Sequence, residues 1–204
     1  MTKKQFLVSS LLCGLMSVPA VGGARSAVSG EQLAHEAQLR AQAQSLIDLA
    51  QGGWSPLSRT AVAITGGVVV KGNVLVINGN TRYAIEPTQR VGQDDGIGGA
   101  LEVEGAPFFK LRLLGQNRTP ASRIRGPVYL RDGNTLCGDR DTYLYAQFET
   151  RELGGVEDAV LSVRIFEPPK TGPQGRPHYC AAYNYLKEVD DAPEAGAARG
   201  NRQG

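Results

Sequence analysis

Two cysteines and a histidine are the side chains of this sequence best suited to chemistry. Cys137 lies in the turn-like run "DGNTLCGDRD", and Cys180 follows His178 by two positions in "PHYCAAY". Three uses are open to them: a thiol–imidazole couple, a metal site, or a disulfide. A catalytic thiol needs a base, and His35 and His178 are the only imidazoles in the chain. On a regular strand His178 and Cys180 would share a face, but oxidation would remove the nucleophile. Zinc sites favour paired local ligands such as C-x-x-C, which this sequence lacks. An even pair of cysteines in an exported chain most often bonds to itself. The expectation is therefore a Cys137–Cys180 disulfide, stabilising the fold by about 3–4 kcal/mol through the constrained unfolded loop.

Carboxylates offer less. Asp139 and Asp141 have the residue type of a glycosidase pair, yet aspartates two apart are mostly solvated turn residues. Asp132 and Asn134 open a run that loosely follows a calcium loop, but the twelfth position, where a bidentate Glu belongs, is Tyr143. There is no G-x-S-x-G elbow, no H-E-x-x-H and no G-x-x-x-x-G-K loop. "GIGGA" lacks the strand-to-helix context of a dinucleotide site. No cofactor and no metal is expected, and binding is favoured over catalysis.

Tyrosines are the better material for recognition. Tyr143, Tyr145, Tyr179, Tyr183 and Tyr185 fall in the two stretches that flank the paired cysteines. A phenol ring is a rigid apolar body with a polar tip, suited to proteins, peptides and glycans. Tyr143, Tyr145 and Tyr183 are the candidate binding residues; the alternative is that the rings simply pack on a sheet.

The N-terminus sets the compartment in which these residues would act. Lys3 and Lys4 precede an apolar run from Phe6 to Val18, and small residues follow in "VPAVGGARSA". That is the layout of a secretory signal peptide over 1–24, with an apolar core shorter than the ~20 residues of a membrane span. Cys13 leaves with it. The chain has 22 Lys+Arg and 20 Asp+Glu, so removing Lys3 and Lys4 leaves 20 of each. A near-neutral mature chain has no general electrostatic attraction to nucleic acid or anionic membrane. The expected location is the periplasm or outside the cell, without stable membrane insertion after cleavage.

The elements follow from periodicity. A helical leader occupies 25–53, its helix running over 29–51 with Ser29 and Gln32 spaced as a capping box. Leu39, Ala43, Leu46, Ile47 and Ala50 form its apolar face, while Glu36, Arg40 and Gln44 look outward. From Leu57 the period changes to two. "TAVAIT" (60–65) reads as a strand, and "VVV" and "VLVI" flank a hairpin turn at Lys71-Gly72-Asn73. "TRYAI", "FFKLRLL", "TYLYAQF", "VLSVRIF" and "HYCAAYNYL" supply further strands. The β-rich domain spans 57–187, and the tail 188–204 has no apolar period and reads as disordered. The fold class is mainly β: a single antiparallel sandwich or small barrel with an N-terminal helix.

"VAITG" at 62–66, "GNTLCG" at 133–138 and "TYL" at 142–144 together resemble a pattern in small exported proteins of Gram-negative bacteria, a largely uncharacterised group. The resemblance implies a compact β-rich exported domain and carries no catalytic residues. The sequence thus supports a non-enzymatic binding or protein-interaction module of the cell envelope, with an envelope protein, peptide or glycan as partner. An inhibitor of an envelope enzyme such as a cell-wall hydrolase, or a small periplasmic hydrolase using Asp139, Asp141 or His178, are the alternatives.

Overall fold

A computed structural model describes residues 30–93, 101–137, 143–152, 159–170, 172 and 175–188. Residues 1–24, where a signal peptide is expected, Ser29, "GIGGA", Asp139, Asp141 and the tail from 189 lie outside the described residues.

Among the described residues, alternating apolar residues give nine strands after one α-helix, α1 (Gly30–Leu49). These are β1 (Gly52–Pro56), β2 (Val68–Lys71), β3 (Val74–Ile77), β4 (Thr81–Val91), β5 (Pro107–Gln116), β6 (Thr119–Pro120), β7 (Tyr143–Glu152), β8 (Ala159–Glu167) and β9 (His178–Lys187). β6 is a two-residue appendage of β5. The other strands pair antiparallel in chain order, and β1 closes the ring on β9 through Trp54↔Lys187, Ser55↔Leu186 and Pro56↔Tyr185. The result is an eight-stranded, closed, up-and-down barrel, the narrower of the two architectures that the sequence allowed.

Each strand sends every second residue inward. Val70, Leu75, Tyr83, Ile85, Leu111, Ala146, Phe148, Leu161, Val163 and Ile165 are all buried in one core. Ala43 and Ile47 of α1, and Ala50 just after it, join that core, and Trp54 ties the helix end to the wall by donating Nε1–H to the Ala50 carbonyl at 2.8 Å. No helix among the described residues is long and apolar enough to cross a membrane.

One expected strand is absent. "TAVAIT" forms a π-helical turn, Ala61–Thr65. Ser58 caps it, its Oγ accepting the Ala61 N–H at 3.2 Å, and Gly66 ends it at φ 62°, where its N–H returns to the Ala61 carbonyl. A β-branched pattern has yielded to a cap and a glycine stop, with Thr65 buried against Tyr185 (Oγ1···OH 2.8 Å).

Cys137 and Cys180 are joined as a disulfide, as the cysteine count predicts, with Cα atoms 5.7 Å apart. It fastens the β5–β7 connection to β9. Cys180 is the extra residue of a β-bulge, because Ile165 pairs with Ala181 while Phe166 pairs with Tyr179. That bulge reverses the face of everything before it. Ala181, Tyr183 and Tyr185 follow the inward phase of Ile165, Val163 and Leu161, while Tyr179 lies opposite the outward Phe166.

Candidate functional site

The outer wall of β5, β7, β8 and β9 carries a row of aromatic rings. Phe108 meets Phe166 at 4.9 Å and Tyr145 at 6.2 Å between centroids; Phe166 meets Tyr179 at 5.7 Å, and Tyr143 meets Tyr145 at 5.6 Å. All four contacts are edge-to-face, the arrangement the ring quadrupole favours. Phe108 and Phe166 are fully buried although they point away from the barrel interior. Two connections that leave opposite ends of the barrel meet over this wall: residues 101–106 between β4 and β5, and 175–177 before β9.

Gln147 pins the first connection. It is buried on the outer wall, accepts the Val103 N–H at 2.9 Å, and donates to the carbonyls of Val103 (3.2 Å) and Ala106 (3.1 Å). Gly92 permits the approach, since a Cβ there would come within 2.0 Å of the Val103 carbonyl oxygen. Glu102, also buried, pins the second. Its carboxylate accepts the Gln93 N–H at 3.0 Å and pairs with Arg176 Nε at 2.7 Å. Arg90 reaches the same segment, donating Nη1–H to the Gly175 carbonyl at 2.7 Å.

Arg90 is placed by an irregularity in β4. Between the pairs Pro87↔Phe109 and Val91↔Pro107, Thr88, Gln89 and Arg90 bulge out opposite the single residue Phe108. Thr88 Oγ1 stabilises the bulge, donating to the Phe108 carbonyl (2.7 Å) and accepting the Arg90 N–H (3.1 Å). The bulge, the two connections and the aromatic row enclose a cleft of about 540 Å³ lined by Thr88, Arg90, Glu102, Phe108, Tyr145 and Arg176. A second hollow of about 340 Å³, lined in part by His178 and Tyr179, shares Glu102 and Arg176 with it.

Cations sit on the two half-exposed tyrosines. Lys110 Nζ lies 4.2 Å from the Tyr143 ring centroid, and the Arg90 guanidinium lies 5.7 Å from that of Tyr145. Partial burial, and then the neighbouring Tyr143, raise the Tyr145 phenol above its ordinary value, so it stays a neutral hydrogen-bonding group in the physiological range. The site offers flat apolar faces, phenol hydroxyls and a cationic rim.

Of the three tyrosines expected to bind, Tyr143 and Tyr145 lie side by side on this wall. Tyr183 does not. It is buried in the barrel interior and donates its hydroxyl to the Leu136 carbonyl at 3.0 Å, because the bulge at Cys180 shifts the period of β9. Tyr185 is interior for the same reason, and Tyr179 alone of that group joins the outer row. Sequence reasoning missed Arg90, Glu102, Phe108, Gln147 and Arg176, since a non-local cleft leaves no spacing to read. The first aromatic of "FFK", Phe108, was the available signal, because a strand with one wet face has no use for an aromatic on each side.

Of the run that loosely follows a calcium loop, residues 138–142 lie outside the described residues. Asn134 turns its amide nitrogen to the carbonyls of Ala63 and Arg131, and Asp132 is an exposed turn residue at φ 53°. No protein-family model matches the chain, and no curated protein or solved structure matches it either.

Proposed function

We propose that this chain is an exported binding module that holds its partner against the outer wall of the barrel, with Tyr143, Tyr145 and Lys110 at the edge of the Arg90–Arg176 cleft. The observation that supports this reading is the pair of half-exposed tyrosines beneath cations beside an open cleft. Aromatic faces capped by Lys and Arg suit a ligand with a flat apolar side and an acidic edge, such as an envelope peptide or glycan. The signal-peptide layout of residues 1–24 and the disulfide are compatible with export to the periplasm or beyond.

The test is a titration of the purified chain with acidic peptides and acidic glycan fragments, alongside capture from a periplasmic extract. Tyr143→Ala/Tyr145→Ala should weaken retention at least about tenfold, the effect of losing aromatic anchors. Arg40→Ala, on the exposed face of α1, should leave it unchanged. Equal retention by the double variant and the parent would remove this wall from consideration. Turnover of any glycan or cell-wall substrate, abolished by His178→Ala, would place the chain among hydrolases instead.

A further inference from the structure

The cysteine pair has a third neighbour. The sulfurs of Cys137 and Cys180 and a carboxylate oxygen of Glu167 all lie within 4.8 Å of one another. We propose that reduction of the disulfide converts this corner of the barrel into a binding site for a thiophilic divalent cation such as zinc, with Cys137, Cys180 and Glu167 as protein ligands. The sequence lacks a local C-x-x-C pair, and the fold supplies the equivalent from three separate segments.

The donors are held without the covalent bond. Leu136, next to Cys137, is buried in the core, and its carbonyl accepts the Tyr183 hydroxyl at 3.0 Å. Cys180 is aimed by its bulge, and Glu167 ends β8 opposite His178 of β9. The reduced chain therefore keeps both thiols and the carboxylate together. A tetrahedral zinc with Zn–S bonds of about 2.3 Å holds its sulfurs about 3.7 Å apart. Side-chain rotation alone provides that separation with Cα atoms 5.7 Å apart. Lys170, 3.9 Å from Glu167 and largely exposed, is a weak competitor for the carboxylate. Water completes the coordination.

The chemistry balances with a phosphine as reductant, which takes the oxygen of one water to become its oxide while the disulfide gains two electrons and two protons. Zinc then displaces both thiol protons to solvent. In the oxidised chain the sulfur lone pairs of the disulfide are poor ligands, so the site is gated by redox state.

The experiment uses the full chain carrying Cys13→Ser, with zinc binding measured by calorimetry in two buffers before and after phosphine reduction. The reduced chain should bind one zinc and release about two protons. The oxidised chain should bind none. Glu167→Ala should weaken binding at least about tenfold, and Cys180→Ser should abolish it. Absence of zinc binding by the reduced chain, or undiminished affinity in Glu167→Ala, would overturn the proposal. Should reduction unfold the chain, zinc must restore its far-UV spectrum; a chain that zinc leaves unfolded overturns the proposal equally.

Discussion

Gln147 shows how much one buried polar side chain can organise. Its amide satisfies three backbone groups of the 101–106 segment. Gln147→Leu, close in shape but unable to hydrogen-bond, should destabilise the fold by about 2–3 kcal/mol in urea unfolding, because it strands those backbone groups. Glu149 makes a complementary prediction. Burial pushes its carboxyl up, but hydrogen bonds from Arg151 (2.7 Å) and Arg164 (2.8 Å) outweigh it, so the pKa is lowered. A lowered carboxylate pKa contributes stability above the unfolded value of about 4.3 that is lost as pH falls through the folded value. Glu149→Gln should therefore flatten the decline of the melting temperature below about pH 4, and an unchanged acid limb would contradict the pairing. Period two alone put Tyr143 and Tyr145 on the face opposite Leu144, Ala146 and Phe148, because β7 is regular there. It misplaced Tyr183 because the phase of a strand depends on every residue between, and Cys180 shifts it by one.

At the scale of elements, what was legible was what repeats. The apolar face of α1, the Lys71–Asn73 turn and the inward sets Thr81/Tyr83/Ile85 and Leu161/Val163/Ile165 all follow from local periodicity. What was not legible is where the period breaks. The 60–65 run alternates like a strand, yet a serine cap and a glycine pair wind it into a turn. The bulge of Thr88–Arg90 depends on a hydroxyl that bonds to β5, a partner no window of β4 contains. Thr88→Val keeps the shape and removes that hydroxyl. It should cost about 1 kcal/mol in stability and weaken ligand retention by releasing Arg90 from the rim, with the far-UV spectrum unchanged. Gly92→Ala should act on the same cleft from the other side, since its Cβ would displace the Val103 carbonyl. Loss of ligand retention without global unfolding is the expected readout.

For the molecule as a whole, burying three phenols inside one barrel has a titration signature. Burial pushes Tyr83 up to about 12 and raises Tyr183 and Tyr185 further still. Raised values contribute stability that is fully present below the unfolded value of about 10 and is lost as pH climbs through the folded ones. Phenolate absorbance should therefore show these three lagging behind the exposed tyrosines, then appearing together as the barrel opens in alkali. Closure has a consequence of another kind, in time. Every pairing around the ring but one joins neighbours along the chain; the seam between β1 and β9 joins residues more than a hundred positions apart, such as Trp54 and Lys187. Sequential hairpins assemble at little entropic cost, whereas the seam must wait for both ends of the meander to meet. It should zip last, so Leu186→Ala should quicken unfolding while leaving the refolding rate nearly untouched, a φ-value near zero.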